Sequence, residues 1–184
     1  MIKHKLCELF FVIGQIPKQS FINSVDIKNH ILKNINKDNK FNSNTYWSIH
    51  DYYKIPFEKN IGWINDYITQ HYFAEFDKPI YTNEVDTLRA LIQEKNQSIL
   101  RHNNILSYNL KETPDLDCYY TVDIGETPSY LTLKYSNGRN RELYEKICLR
   151  KNQFIIIPSF VDRYITQNEN EKQLINLSIH YKFT

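Results

Sequence analysis

The residues able to do chemistry are few and dispersed. The six histidines are His4, His30, His50, His71, His102 and His180. An imidazole can ligate a metal or move a proton near neutral pH, so its neighbours decide its use. His102 is followed by Asn103 and Asn104, just ahead of strand-forming sequence. His180 shares one face of the last predicted strand with Asn176 and Ser178. Turned inward, that face would line a polar pocket. Turned to water it is a solvated face, which is the expectation. His102 is likewise expected on an exposed loop or strand edge. Asp162 and Arg163 could line an anion pocket, but a local ion pair or solvated loop is the expectation, and exposed pairs contribute little stability.

Other chemistry is thin. Cys7, Cys118 and Cys148 are odd in number, and no pair has metal-ligand spacing. They are expected as small buried hydrophobes in a reducing compartment. There is no glycine-rich phosphate loop, no dinucleotide fingerprint and no nucleophile elbow. An aromatic stretch holds Tyr46, Trp47, Tyr52, Tyr53, Phe57 and Trp63. Trp63 falls on a helical apolar stripe and belongs in a core. Tyr46, Trp47, Tyr52 and Tyr53 are candidates for contact with a protein partner, since exposed Tyr and Trp are enriched at interfaces.

The elements that must position these residues follow from length and pattern. A chain of 184 residues suits one domain, here 1–184, with a helical half over about 1–100 and a β-rich half over about 101–184. The charge is nearly balanced, with 23 basic and 21 acidic residues and a net +2. That argues against a nucleic-acid binder, which carries a basic excess. No apolar run is long enough to cross a bilayer. Glu8 interrupts the N-terminal apolar stretch, so no secretory signal is read there. A cytoplasmic or virion location is the expectation. Ile and Asn abound, while Ala stands only at Ala74 and Ala90. This bias fits an AT-rich genome, as in many marine bacteria and their phages.

A first strand is expected over Cys7–Ile13. Asn23 then caps a helix bearing Ile27, Ile31 and Ile35. A second helix over about 57–74 carries Ile61, Ile64, Ile68 and Tyr72. A third over about 83–97 is read from Val85, Leu88, Leu91 and Ile92. The period then changes to two. Strands follow over 118–124 and 130–135, with a turn at Asn137-Gly138. Further strands follow over 143–149, 153–158, 162–167 and 175–183. Short strands at regular spacing point to an antiparallel sandwich or jelly roll. The fold class is α+β, with the N-terminal helices packed on the sheet.

The last third carries a family resemblance. Asn152-Gln153-Phe154-Ile155-Ile156-Ile157-Pro158-Ser159-Phe160 resembles the G-x-hydrophobic-hydrophobic-F-P-S-W strand of 2-oxoglutarate/Fe(II)-dependent oxygenases. Tyr164 to Asn168 is similar to the x-V-x-P-N segment that follows it. Ile175 to Phe183 resembles the closing R-I-S-I-S-F-N-F strand, and Glu8-Leu9-Phe10-Phe11 the family's opening. Small members encoded by large tailed phages are nearest in length. The resemblance implies a double-stranded β-helix, the jelly roll reached above from strand spacing.

It also implies a site, and the sequence departs from it. Active members hold Fe(II) with H-x-D or H-x-E on an early strand and a second His after the P-S-W segment. Here His102 is followed at the carboxylate position by Asn104. Arg163 stands at the second-His position, and a guanidinium has no lone pair for a metal. The position of the 2-oxoglutarate clamp holds Asn176, where the family has Arg. The resemblance with these departures implies a non-catalytic, cofactor-free jelly roll acting through protein partners. A homo-oligomeric virion subunit of the neck, tail or head is the expectation. His102, Asn104 and His180 remain the metal candidates. The alternatives are an active Fe(II)/2-oxoglutarate oxygenase, with His102 as one ligand and His180 or an aspartate such as Asp117 or Asp123 as another, and a module that binds a sugar or small anion.

Overall fold

The computed structural model describes residues 10–17, 22–35, 51–56, 59–82, 87–102, 113–136 and 141–184. In chain order the elements are β1 (Val12–Gln15), α1 (Ile22–Asn34), β2 (Asp51–Pro56), α2 (Lys59–Phe76), β3 (Ile80–Thr82), β4 (Thr87–Gln93) and β5 (Ile99–His102). Then follow β6 (Leu116–Asp123), β7 (Tyr130–Ser136), β8 (Glu142–Cys148), β9 (Gln153–Pro158), β10 (Asp162–Ile165) and β11 (Leu174–Phe183). The described segments thus form a mostly antiparallel β structure with two helices. Tyr46, Trp47, Asn104, the cap Asn23 and the Asn137-Gly138 turn concern residues outside those whose side chains or backbone are described.

Two sheets result. The larger runs β1-β9-β6-β11-β4-β2, with β3 also against β11, and the smaller runs β5-β10-β7-β8. From β4 onward, successive strands are shared between the two sheets, with β4, β6, β9 and β11 in one and β5, β7, β8 and β10 in the other.

Side-chain alternation sends each strand of the large sheet two ways. Leu116, Cys118, Tyr120 and Val122 of β6 join Ile175, Leu177, Ile179 and Tyr181 of β11 on the outer face. There α1 and α2 cover them with Ile27, Ile31, Ile61, Ile64, Ile68 and Tyr72. The i, i+3, i+4 spacing of these residues makes one apolar stripe per helix, as the sequence predicts. A second cluster joins Leu91, Tyr119, Ile155, Ile157 and Leu174 of the large sheet to Ile99, Leu131, Leu133, Ile147 and Ile165 of the small one. The two sheets therefore face each other across an apolar layer.

The expected third helix over 83–97 is not formed. Residues 87–93 are the strand β4, hydrogen-bonded between β11 and β2. Leu88, Ala90 and Ile92 turn to the helices, and Leu91 turns to the other sheet. Leu88, Leu91 and Ile92 satisfy a helical period only because a strand buried on both faces shows apolar residues at both parities. Of the aromatic stretch, Tyr53 lies in β2, half-buried against the helix-side core, and Tyr52 lies in the same strand.

Candidate functional site

The site is built by β6 and β11, which pair antiparallel over seven residues. Their outer faces are fixed by the helix-side core, so the alternate residues must enter the space between the sheets. Asp117, Tyr119 and Thr121 come from β6. Asn176, Ser178 and His180 come from β11. The register sets Asp117 opposite His180, Tyr119 opposite Ser178 and Thr121 opposite Asn176. The expectation of a solvated face on the last strand is therefore corrected. Asn176 and Ser178 are buried, and the His180 side chain is only 12% exposed.

The small sheet answers with Arg163. The register places His102 of β5 directly opposite Arg163 of β10. Arg163 is fully buried, the largest side chain among the described residues to be so. Its Nη2 donates to Asp117 Oδ2 across the sandwich. Its Nε donates to the Tyr119 hydroxyl at 2.8 Å. Its Nη1 donates to the carbonyls of Ser159 at 3.2 Å and Val161 at 3.1 Å. The guanidinium also lies 5.6 Å from the Tyr119 ring centroid. The expectation of a local Asp162–Arg163 pair is thus overturned. Strand alternation separates the two residues, and Asp162 pairs instead with Arg101 on the outer side of the small sheet.

Three features shape the electrostatics. A charge buried without a partner is costly, so Asp117 and Arg163 depend on each other. His180 Nε2 approaches Asp117 Oδ1 at 3.4 Å. Burial pushes the Tyr119 phenol up from its ordinary value, opposed by the charges of Arg163 and Arg89. Arg89 reaches this region from β4, where it stands opposite Ser178. Below these groups, Thr121 Oγ1 donates to Asn176 Oδ1 at 2.9 Å. Asn176 Nδ2 is buried with no hydrogen-bond partner. Cys118 points the other way, into the helix-side core, and burial pushes its thiol up. It is an inert core residue, as expected.

No protein-family model matches the chain, and no curated protein matches it by sequence. Solved structures do. The non-heme alpha-ketoglutarate-dependent carbocyclase SnoK from nogalamycin biosynthesis matches with a TM-score of 0.69 at 8% identity, over 95% of this chain and 79% of that one. A prolyl-4-hydroxylase from Pseudomonas putida matches at 0.67 and 6% identity, over 95% and 92%. The epimerase SnoN, in complex with Fe3+ and alpha-ketoglutarate, matches at 0.62 and 11% identity, over 94% and 78%. The chain shares the fold of the 2-oxoglutarate/Fe(II) oxygenases. At these identities the likeness concerns the fold.

These neighbours correct two expectations. A cofactor-free, non-catalytic virion subunit was read from the departures in the sequence. The neighbours are instead alpha-ketoglutarate-dependent enzymes and a prolyl hydroxylase, and one holds iron and alpha-ketoglutarate. They point to Fe(II) and 2-oxoglutarate as the group to test against this chain.

Two imidazoles and one carboxylate are required. Among the described residues no three histidine, cysteine, aspartate or glutamate side chains are grouped to hold a metal. Asp117 and His180 meet in the interior, and Arg163 holds the same carboxylate. The register brings His102 of β5 opposite Arg163, while its side chain lies outside those described. The described donors thus supply two of the three ligands. Arg163 stands where the resemblance requires a histidine. Asn176 offers an unpartnered buried N–H at the clamp position, and Arg89 brings positive charge on the next strand. Sequence reasoning named His102, His180, Asn176 and Asp117, but it missed Tyr119 and Arg89. The alternation through 116–123 was the signal that could have found Tyr119. No such signal marked Arg89, because its strand was read as a helix.

Proposed function

We propose that the protein is a 2-oxoglutarate/Fe(II)-dependent oxygenase built on a double-stranded β-helix, acting on a protein side chain or a small molecule. The observation that carries the reading is the polar set Asp117, Asn176, Ser178 and His180. It faces inward on β6 and β11, between the two sheets. The order β4-β11-β6-β9 against β5-β10-β7-β8 supports the β-helix. The likeness to SnoK and to the prolyl-4-hydroxylase supports the chemistry.

Asp117, His180 and His102 would hold the metal, and Asn176 Nδ2 would donate to a carboxylate of the organic acid. With 2-oxoglutarate, such a ferrous centre supplies the oxidising power for attack on unactivated C–H bonds. The rest falls to the chain. Thr121 fixes the Asn176 amide through its 2.9 Å hydrogen bond, leaving the N–H end for the ligand. Arg89 supplies the positive charge that the clamp position lacks. The apolar layer of Ile155, Ile157, Leu131 and Leu133 excludes water, which strengthens every charge interaction inside.

Anaerobic calorimetry with Mn(II), alone and with 2-oxoglutarate, tests the reading. Micromolar binding that tightens when 2-oxoglutarate is present is the expected result. No heat and no thermal stabilisation under either condition would overturn it.

A further inference from the structure

Arg163 has no place in the chemistry just described, yet it is fully buried and makes four hydrogen bonds in the interior. Its three nitrogens reach Asp117, Tyr119 and two main-chain carbonyls. Asp117 is the single carboxylate among the described interior residues able to serve a metal there, and Arg163 holds it. A carboxylate oxygen bound to a guanidinium is a poor ligand while that bond lasts, since both cations seek the same lone pairs. Both charges are fully buried, so neither partner can leave unless another charge replaces it.

We propose that Arg163 is an internal counter-cation that occupies the place of the divalent ion, so that guanidinium and metal are alternative partners of Asp117. This rests on the oxygenase reading and adds a regulation to it. The metal-free protein is closed by its own arginine, and loading requires that arginine to be displaced. Three features fit. The register puts Arg163 opposite His102, at the second-histidine position of the resemblance. The tie runs between the sheets, from β10 to β6. His180 Nε2 already lies 3.4 Å from the other oxygen of the same carboxylate. The proposal explains how an oxygenase fold keeps a stable interior while one expected ligand is a cation.

The test uses the whole chain and Mn(II) as probe. Calorimetry and thermal melts are run on the wild type, Arg163→His, Arg163→Gln and Asp117→Asn, with and without 2-oxoglutarate. Without metal, both Arg163 variants are expected to melt below the wild type. Saturating Mn(II) should raise their Tm by about 5–11 °C, the shift that a ligand at 100 times its Kd gives a chain of this size. The wild type should rise by less, and Mn(II) should bind the variants roughly tenfold tighter or more. Asp117→Asn should lose the response. If Mn(II) binds the wild type as tightly as the Arg163 variants, the competition is wrong and the oxygenase reading stands. If neither the wild type nor any variant binds Mn(II), the oxygenase reading falls and the competition with it. If the single variants do not fold alone, refolding with and without Mn(II) decides. Recovery only with metal supports the competition. No recovery with metal, while Arg163→Met with Asp117→Leu folds, overturns it.

Discussion

Removing one partner of the Asp117–Arg163 pair should be among the most damaging single changes in this chain, and removing both should not. Each side chain is 0% exposed. Asp117→Leu leaves the guanidinium with two carbonyls and a phenol but no counter-charge. Arg163→Met leaves a buried carboxylate facing the largely buried imidazole of His180. Breaking a buried pair from one side costs about 3–5 kcal/mol, and replacing both members by apolar groups of similar volume is often neutral or stabilising. For a chain this long, about 2–4 °C of Tm accompanies each kcal/mol, so either single change should lower Tm by about 6–20 °C. The double variant should sit far above the sum of the two. Urea unfolding of the wild type, both singles and the double closes the cycle, with a coupling energy of about 3 kcal/mol or more expected. The assay is metal-free, so it reads the pair alone. Additive losses would refute the reasoning, for they would mean that each charge finds its stabilisation elsewhere.

Two further outcomes follow from single positions. Asp123 ties α1 to the turn before β9 through Lys28 and Lys151, and these cations hold its carboxyl below the ordinary 3.8 against the opposing effect of burial. A depressed carboxylate adds stability that is full above its unfolded pKa and is lost as pH falls through the folded one. Asp123→Asn should therefore cost about 0.5–2 kcal/mol at pH 7 and almost nothing once both states are protonated, read by urea unfolding from pH 7 down to pH 2. Gly14 lies under the Phe154 ring, and a Cβ there would come within 1.9 Å of its Cζ. Phe154 is buried against the helix-side core and meets Tyr67 edge-on at 6.3 Å, so Gly14→Ala should cost about 1–3 kcal/mol through displacement of that ring. An unchanged Tm would show that the ring moves freely.

How much of this was legible in the sequence depends on what each face of an element touches. The two helices were readable because one side meets the sheet and the other meets water, so Ile27 and Ile31, or Ile61, Ile64 and Ile68, stand out against polar neighbours. The last strand was readable for a different reason. Its inward face carries Asn176, Ser178 and His180, and the contrast with Ile175, Leu177 and Ile179 gave the period. The same contrast gave the wrong side, because polar residues were read as facing water. Only the second sheet, which covers them, reverses that reading, and a single strand holds no record of its cover. The strand β4 failed in the opposite way. With apolar residues on both faces, Leu88 to Ile92 kept no period of two. Arg163 was the least legible of all. Its position after Pro158 aligned it with a ligand, but nothing local shows that Asp117, 46 residues earlier, provides its charge.

That distance in sequence explains why the centre resists identification by motif. Local spacing can encode ligands that lie on one strand, such as the H-x-D pair of the resemblance, and here Asn104 breaks it. The set that the fold assembles is instead distributed, with Asp117 on β6, Arg163 on β10 and His180 on β11, and only the pairing register brings them together. Each residue in isolation reads as an ordinary charge. The register is held by the outer faces, where Cys118, Tyr120, Ile179 and Tyr181 are locked under the helices. Slipping β11 by one residue would drive His180 and Asn176 into that apolar layer, which its burial energy forbids. The helices, which cover the opposite face of the sheet, therefore decide which charges meet between the sheets.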